Sequence, residues 1–390
     1  MMHVCAVSFK QCWQDEAGNW FSSGGFPLQM RAIGSLFDEM TILIVRGQPR
    51  EGGLPLPSSA RVMPLHCPTG SDTRRKFSVL AHLPQYLPTI ARHIRRADVV
   101  HTPLPGDIPL LGMIVAMLFR KRLIARYGGS WSTTSQTTLM NRVTRMWLRA
   151  FAGRRNVVLA TGEGEIPPAE GIDWIFATAL SRSELDAISP EFERGLSSPP
   201  RIVYAGRLSE EKGVGNLVRA VVLLRKEGFT PLPRVTIVGD GPERQSLENL
   251  VRDLNCEDLI AFAGQLNRES LSKVLSQSDF CVQPSLTEGF SKAWLDAMAH
   301  GLPVLASEVG AARAVIGPDT QRGWLVPPGD VSTLAERLRQ VLTGPIDWPA
   351  LRLRCRTYLE GHTLEAWAEK IGQNCARQWN ISFLRGKLCQ

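Results

Sequence analysis

The sequence has no apolar run long enough to cross a bilayer. Its longest, Ile108 to Phe119, falls short of the roughly 18–20 residues a spanning helix needs and is read as a buried helix. The opening residues Met2-His-Val-Cys-Ala-Val have neither the basic lead nor the apolar length of a secretory leader, and are read as a first strand. The eight cysteines (5, 12, 67, 256, 281, 355, 375 and 389) include no C-x-x-C pair. They are expected as reduced, mostly buried thiols of a cytosolic protein. No His/Cys/Asp cluster has metal-ligand spacing, so no metal site is expected. Repeats and low-complexity tracts are absent.

Acidic residues are missing from one long stretch. Between Arg120 and Arg155 there are nine basic residues and no acidic one, within a net charge of +8. Such a patch attracts polyanions. No helix-turn-helix, zinc-finger or RNA-binding signature accompanies it, so nucleic acid is not expected as a partner. With 44% hydrophobic and 21% charged residues over 390 positions, the chain reads as a soluble globular protein of two or three domains.

What is present centres on Pro284 to Pro303. Phe280-Cys-Val-Gln reads as a short buried strand. A loop containing Glu288, Gly289, Phe290 and Ser291 follows, then a helix with apolar spacing at Ala293, Trp294, Ala297 and Met298, stopped by Gly301 and Pro303. Asp296 then sits about two turns into the helix. The N–H groups of Phe290, Ser291 and Lys292 lie at its N-terminus, where partial positive charge can hold a phosphate or carboxylate.

This stretch resembles the Glu-x7-Glu signature of the GT4 family of retaining glycosyltransferases, whose usual pattern is P-S-x-x-E-G-F-G followed by E-A-M-A-x-G-x-P-V. Here the first acid is Glu288 and the second is Asp296, one methylene shorter than the usual glutamate; Ser291 stands where glycine is usual. Further blocks carry the same resemblance. Gly206-Arg207-Leu-Ser-Glu-Glu-Lys212-Gly213 is similar to the family's G-R-L-x-x-x-K-G. Val238-Gly239-Asp240-Gly241-Pro242 matches V-G-x-G-P, and Gly323 to Asp330 resembles its G-x-L-V-x-P-G-D close.

The resemblance implies an α/β protein of GT-B fold, two Rossmann-like domains facing one another across a cleft. Residues 1–190, joined by a C-terminal helix 364–390, are expected to form the acceptor domain; 191–200 is the linker, and 201–363 forms the nucleotide-sugar domain. It implies transfer of a hexose-type sugar from a nucleoside diphosphate sugar to an acceptor hydroxyl with retention. No cofactor or metal is needed, and UDP-sugar is favoured over GDP-sugar as donor. It assigns the diphosphate to Arg207 and Lys212, with Gly25 and the N–H groups of Ser291 and Lys292 as added donors, and counts Gly24, Gly206, Gly241, Gly289 and Phe290 among the donor-binding residues. It assigns the donor sugar to Glu288, the ribose to Asp296, and the base to Gln265 and Leu266. The bland alternatives are an exposed Arg–Lys pair at a turn and glycines that only make tight βα turns. Rival functions are another GT-B enzyme such as a nucleotide-sugar 2-epimerase, and a catalytically silent nucleotide-sugar binder.

The first half matches loosely. Gly24-Gly25 before Pro27 resembles the family's glycine loop near the donor diphosphate; a plain turn is the alternative, and a helix is expected from about Leu28 to Met40. His101 ends a strand, where open α/β sheets place ligands, although a strand-capping role fits equally. Many family members carry a histidine before the glycines of the loop at 127–130; this chain has Tyr127. Asn141 to Ala152 reads as an amphipathic helix with Val143, Met146, Trp147 and Ala150 on one side and Arg142, Arg145 and Arg149 on the other. That face could rest on an anionic membrane, or the stripe could be ordinary core. The expected partners are therefore a glycan, lipid-linked or small-molecule acceptor. The expected location is the cytoplasm, with the inner membrane face as an added site of contact.

Overall fold

In the computed structural model, residues 1–49, 53–70, 72–131 and 138–389 are described. The chain divides into two compact units, 1–179 with 364–390, and 180–363.

The first unit is built on a nine-stranded sheet. Its strands are β1 (His3–Gln14), β2 (Trp20–Ser22), β3 (Glu39–Arg46), β4 (Leu54–Pro55), β5 (Ala60–Leu65), β6 (Val99–Leu104), β7 (Arg122–Tyr127), β8 (Asn156–Thr161) and β9 (Ile172–Ile175). The parallel run is β5-β3-β1-β6-β7-β8-β9, and β2 and β4 are added antiparallel. Strand order reverses beside β1, between β1 and β6. Open α/β sheets bind ligands outside the carboxyl ends of their strands at such a point. The core on one face joins Cys5, Val7, Leu43, Val100, Leu123 and Val158 to the helices at 83–96 and 107–118.

The second unit has six parallel strands: β10 (Arg201–Ala205), β11 (Arg234–Val238), β12 (Ile260–Gly264), β13 (Phe280–Gln283), β14 (Val304–Ser307) and β15 (Gly323–Val326). Their order is β12-β11-β10-β13-β14-β15, the doubly wound arrangement with its switch point between β10 and β13. Every residue of β13 and β14 is buried, as expected of central parallel strands covered on both faces. Phe280, Trp324 and Trp348 pack their rings at 6.1–6.4 Å below this sheet.

Several expectations shift. The 191–200 segment is bonded into the second unit rather than strung free. The buried Asp279 carboxylate accepts from Ser197 Oγ at 2.9 Å and from the N–H of Arg201 at 2.7 Å, and Arg194 donates to the Ser276 carbonyl at 2.8 Å. The first helix is Phe26–Gly34 and does not reach Met40, which lies in β3. The terminal helix is Leu364–Trp379, followed by a hairpin of Ser382–Leu384 and Lys387–Cys389. All eight cysteines are free, and six are buried.

The turns of the second unit are close-packed. Gly239 has φ +131°, and a Cβ there would lie 1.9 Å from the Gly206 carbonyl oxygen. Gly228 has φ +72° but open space around it. Gly239→Ala should therefore lose more than the about 1–3 kcal/mol of backbone strain alone, whereas Gly228→Ala loses only that strain. Thermal unfolding should place Gly239→Ala several degrees below Gly228→Ala; coincident midpoints would contradict this packing.

Candidate active site

The loops after β10 and β13 meet because these strands are neighbours. Past Ala205 the chain turns at Gly206, whose N–H donates to Val238 O at 3.0 Å. The Tyr204 hydroxyl donates to Arg207 O at 2.9 Å and holds that turn. Leu208 N donates to Asp240 O, and Glu243 N to Leu208 O, each at 3.0 Å. A Cβ at Gly241 would lie 2.2 Å from Leu208 O, so the Gly239–Gly241 turn can lie this close only without side chains. This clamp leaves Arg207 exposed, with no ion pair among the described residues.

A short 3₁₀ turn, Glu210–Lys212, follows and is closed by Gly213 in the left-handed region at φ +61°. A Cβ on Gly213 would meet the Pro284 carbonyl at 2.3 Å, which brings the turn against the loop after β13. Leu286 N also donates to Glu211 O at 2.8 Å. The result is an ion pair from Lys212 Nζ to Glu288 Oε2, with side chains 22% and 14% exposed. The pair is partly shielded yet reachable.

Gly289 N donates to Glu288 Oε1 at 3.1 Å. Phe290 and Ser291 are buried, and Ser291 caps the Lys292–Ala299 helix without a side-chain hydrogen bond. Asp296 lies on this helix. Burial pushes its carboxyl above the ordinary value; Arg268 and Lys292 pull it back, and Glu184 pushes it further up. Gln265, exposed, and Leu266, half-buried, follow β12, and Asn267 caps the next helix by accepting from Ser270 N at 2.8 Å. Thus Gly206, Arg207, Lys212, Gly241, Glu288, Gly289, Phe290, Ser291 and Lys292 gather at the carboxyl ends of the second sheet. Asp296, Gln265 and Leu266 lie in the same unit, with Arg268 the electrostatic link between the 265–268 turn and Asp296. Gly24 and Gly25 belong to the first unit, where they precede the Phe26–Gly34 helix, Gly24 at φ +66°.

Two contributors escape a motif reading. Glu211 serves through its carbonyl, and its carboxylate accepts from Ser209 Oγ at 2.6 Å. Gly310, at φ +56°, braces the acidic loop from behind: a Cβ there would lie 2.2 Å from the Glu288 carbonyl oxygen. Its only sequence signal is a glycine three residues past a buried strand.

The 139–151 helix corrects an expectation. Its buried side is Thr144, Arg145 and Leu148. Arg145 points inward and donates to the Trp131 carbonyl at 2.5 Å, so it is not a surface cation. Met146 and Phe151 are exposed, and with Trp147 and Ala150 they face Met117 and Leu118 across an apolar groove. Arg142 and Arg149 are exposed as expected. His101 is fully buried, and Tyr127 is likewise core.

Comparison with known proteins places these features. A family model described as glycosyl transferases group 1 matches residues 190–360. The chain is 32% identical over 275 residues to a 2-deoxystreptamine glucosyltransferase of Streptomyces kanamyceticus, covering 64% of this chain and 69% of that one. It is 29% identical over 232 residues to the amylovoran biosynthesis glycosyltransferase AmsK of Erwinia amylovora, covering 58% of this chain and 53% of that one. The chain thus spans about half to two thirds of the length of these curated relatives. Among solved structures, sucrose-phosphate synthase of Thermosynechococcus elongatus superposes with TM-score 0.72 at 20% identity, covering 97% of this chain and all of that one. Anabaena HepE in complex with UDP and glucose superposes with TM-score 0.69 at 16% identity, with the same coverage. These likenesses establish the two-unit GT-B architecture.

The Asp296 shift has a stability consequence. A carboxyl raised in the folded state opposes folding once it must ionise, so its stability contribution is lost as pH rises through the folded value. Asp296→Asn should raise the unfolding midpoint of the ligand-free chain at pH 7. The gain should fade below the unfolded carboxyl value of about 3.9. A midpoint for Asp296→Asn lower than wild type at pH 7 would overturn this reading.

Proposed function

The chain belongs to the glycosyl transferases group 1 family, and from that premise we propose that it transfers a hexose-type sugar from a nucleoside diphosphate sugar to an acceptor hydroxyl, with retention at the anomeric carbon. The observation that carries this reading is the Lys212–Glu288 ion pair at the switch point of the second sheet, with Arg207, exposed and without an ion pair among the described residues, on the same loop as Lys212.

Breaking the bond from the anomeric carbon to the diphosphate leaves the electron pair, and negative charge, on the phosphate oxygen. Arg207 and Lys212 neutralise that charge, and fixed cations in a partly dry site stabilise it without reorganisation. The N–H groups at Ser291 and Lys292 add a helix N-terminus to the same task. In the ligand-free chain Lys212 is held by Glu288. Diphosphate binding draws the ammonium toward the phosphates and leaves Glu288 able to accept sugar hydroxyls. The order of events is therefore donor first, with the acidic loop made available by the donor's own charge. Asp296 holds the ribose, and Gln265 and Leu266 frame the base. Side-chain cations do the neutralising, so the scheme calls for no metal. UDP-sugar is the favoured donor and GDP-sugar the alternative; the UDP and glucose bound to the Anabaena protein support that choice. The named role of AmsK supports an acceptor in polysaccharide or glycoconjugate synthesis.

Arg207→Ala and Glu288→Ala should each lower donor hydrolysis and transfer about 10²- to 10³-fold, the usual cost of removing one charge-stabilising group. Both should keep the wild-type unfolding midpoint within about 1 kcal/mol, because each side chain is at least partly solvated. Wild-type turnover in both variants would remove the site; UDP-sugar binding with no turnover in wild type would instead favour the silent binder.

A second element of the reading is peripheral contact with an anionic membrane. Supporting it is the groove lined by Ile114, Met117, Leu118, Met146, Trp147 and Phe151, with Arg142, Arg149, Arg154 and Arg155 exposed on the same segment. An apolar face with cations around it suits an interface of acyl chains and anionic headgroups. No helix among the described residues is long and apolar enough to cross a membrane, so the contact would lie on the surface. Wild type should float with anionic vesicles and not with neutral ones, and Met146→Asp with Phe151→Asp should abolish flotation. Equal flotation of wild type and the double variant would end this element.

A further inference from the structure

We propose that the first unit holds an anionic group, a phosphate or a carboxylate, on Arg126 and Lys10 beside the switch point between β1 and β6. The source of that group rests on the glycosyl-transfer reading; the site itself does not.

The starting observation is a buried cation without a counter-charge. Arg126, on β7, is 9% exposed. Its guanidinium donates to Gln29 Oε1 at 3.1 Å and stands 5.5 Å from the Trp367 ring, and it pairs with no carboxylate among the described residues. Its Nε has no partner at all. Burial draws its proton affinity down to about 10. Arg352 in the second unit gives the contrast. It is as deeply buried, but it donates to two carbonyl oxygens, Arg194 O at 2.9 Å and Gly301 O at 3.2 Å. A buried ion needs that kind of compensation, and Arg126 has half of it.

Neighbouring groups are also left incomplete. Strand register puts His101, Arg126 and Thr161 on one face: His101 pairs with Ile124 two residues before Arg126, and Leu159 pairs with Arg126 two residues before Thr161. His101 Nδ1 lies 3.2 Å from the Ile124 carbonyl, which can only accept, so that nitrogen carries the proton and Nε2 is a bare acceptor. His101 Nε2, Arg126 Nε, Thr161 Oγ1 and Trp367 Nε1 are four of the eight unpartnered buried side-chain atoms among the described residues. Native proteins leave few such atoms, and each asks for a partner.

Lys10 supplies the reachable half. It is exposed, it lies within the register break in β1 between Val7 and Gln11, and it pairs with no carboxylate among the described residues. Ala6 of β1 pairs with His101, which pairs with Ile124 two residues before Arg126, so Lys10 lies toward the same end of the sheet as Arg126; burial of its stem and then the charge of Arg126 lower its proton affinity. Gln29, the Arg126 acceptor, lies one turn into the Phe26–Gly34 helix. That helix has no acidic residue in its first turn and no side-chain cap. Two cations with the unpartnered donors Arg126 Nε, Thr161 Oγ1 and Trp367 Nε1 fit a tetrahedral or planar anion. With glycosyl transfer as the reaction, that anion is either the donor diphosphate or an acidic group on the acceptor.

Isothermal titration of the full chain with inorganic phosphate and, separately, with UDP tests the site. Wild type should bind phosphate. Lys10→Gln should weaken that binding about tenfold or more, the worth of one charge-assisted contact, with an unchanged unfolding midpoint. Arg126→Met should abolish phosphate binding while matching or exceeding wild-type stability, because it removes an uncompensated buried charge. If Lys10→Gln weakens UDP as well, the donor supplies the anion; if it spares UDP, the acceptor does. Either result supports the site. No saturable phosphate binding, or equal phosphate affinity in wild type and Lys10→Gln, overturns it and leaves a buried water as the occupant. Because titration needs no turnover, failure here is separable from failure of the transfer reading.

Discussion

Lys212 and Glu288 are 76 residues apart in the chain and joined in space, and the sheet order makes that possible. Because β10 and β13 are neighbours although β11 and β12 intervene in sequence, the loops that carry Lys212 and Glu288 end side by side. Everything else at this end of the second unit serves that meeting. The Tyr204 hydroxyl pins the Arg207 turn, the Glu211 carbonyl receives the acidic loop, and Gly213 and Gly310 let carbonyl groups approach where a Cβ would collide. The ion pair itself adds little to stability, since pairs open to water are worth at most about 1 kcal/mol. Its importance is positional: each partner is held where a charged ligand can take over the other.

Much of this was legible from residue types because glycines carry steric information. At Gly213, Gly239 and Gly241 the surrounding backbone atoms forbid any side chain, so the spacing of these glycines reports loop geometry directly. The buried strands were legible for the same kind of reason, since a central parallel strand admits only apolar residues along its whole length.

Orientation was less legible. Apolar periodicity finds a stripe on the 139–151 helix but does not say what the stripe meets. The core takes Thr144, Arg145 and Leu148 instead, because the long Arg145 stem packs inward while its guanidinium reaches the Trp131 carbonyl. Element ends were hidden too. The first helix stops at Gly34, where a Cβ would press on Met40 Sδ at 3.0 Å, and that contact depends on a strand later in the chain. The 191–200 segment has the Ser/Pro composition of a linker, yet Asp279, a residue with no local reason to be noticed, ties it down.

Asp296 and Arg126 share a logic that runs against stability. Burial disfavours the charged form of each, and Arg126 donates to one side-chain oxygen where Arg352 donates to two carbonyl oxygens. Apolar residues of similar size would cost the ligand-free chain nothing at such places and often stabilise it. Violations of local packing rules concentrate where a molecule must be met by something outside itself. One unit thus keeps an uneasy carboxylate and the other an uneasy guanidinium. These suit ligand groups of opposite character, hydroxyls that donate to the first and an anion that pairs with the second. On this reasoning the stability given up at the two positions is recovered only when a ligand is bound, which makes them the places where binding and folding are most tightly linked.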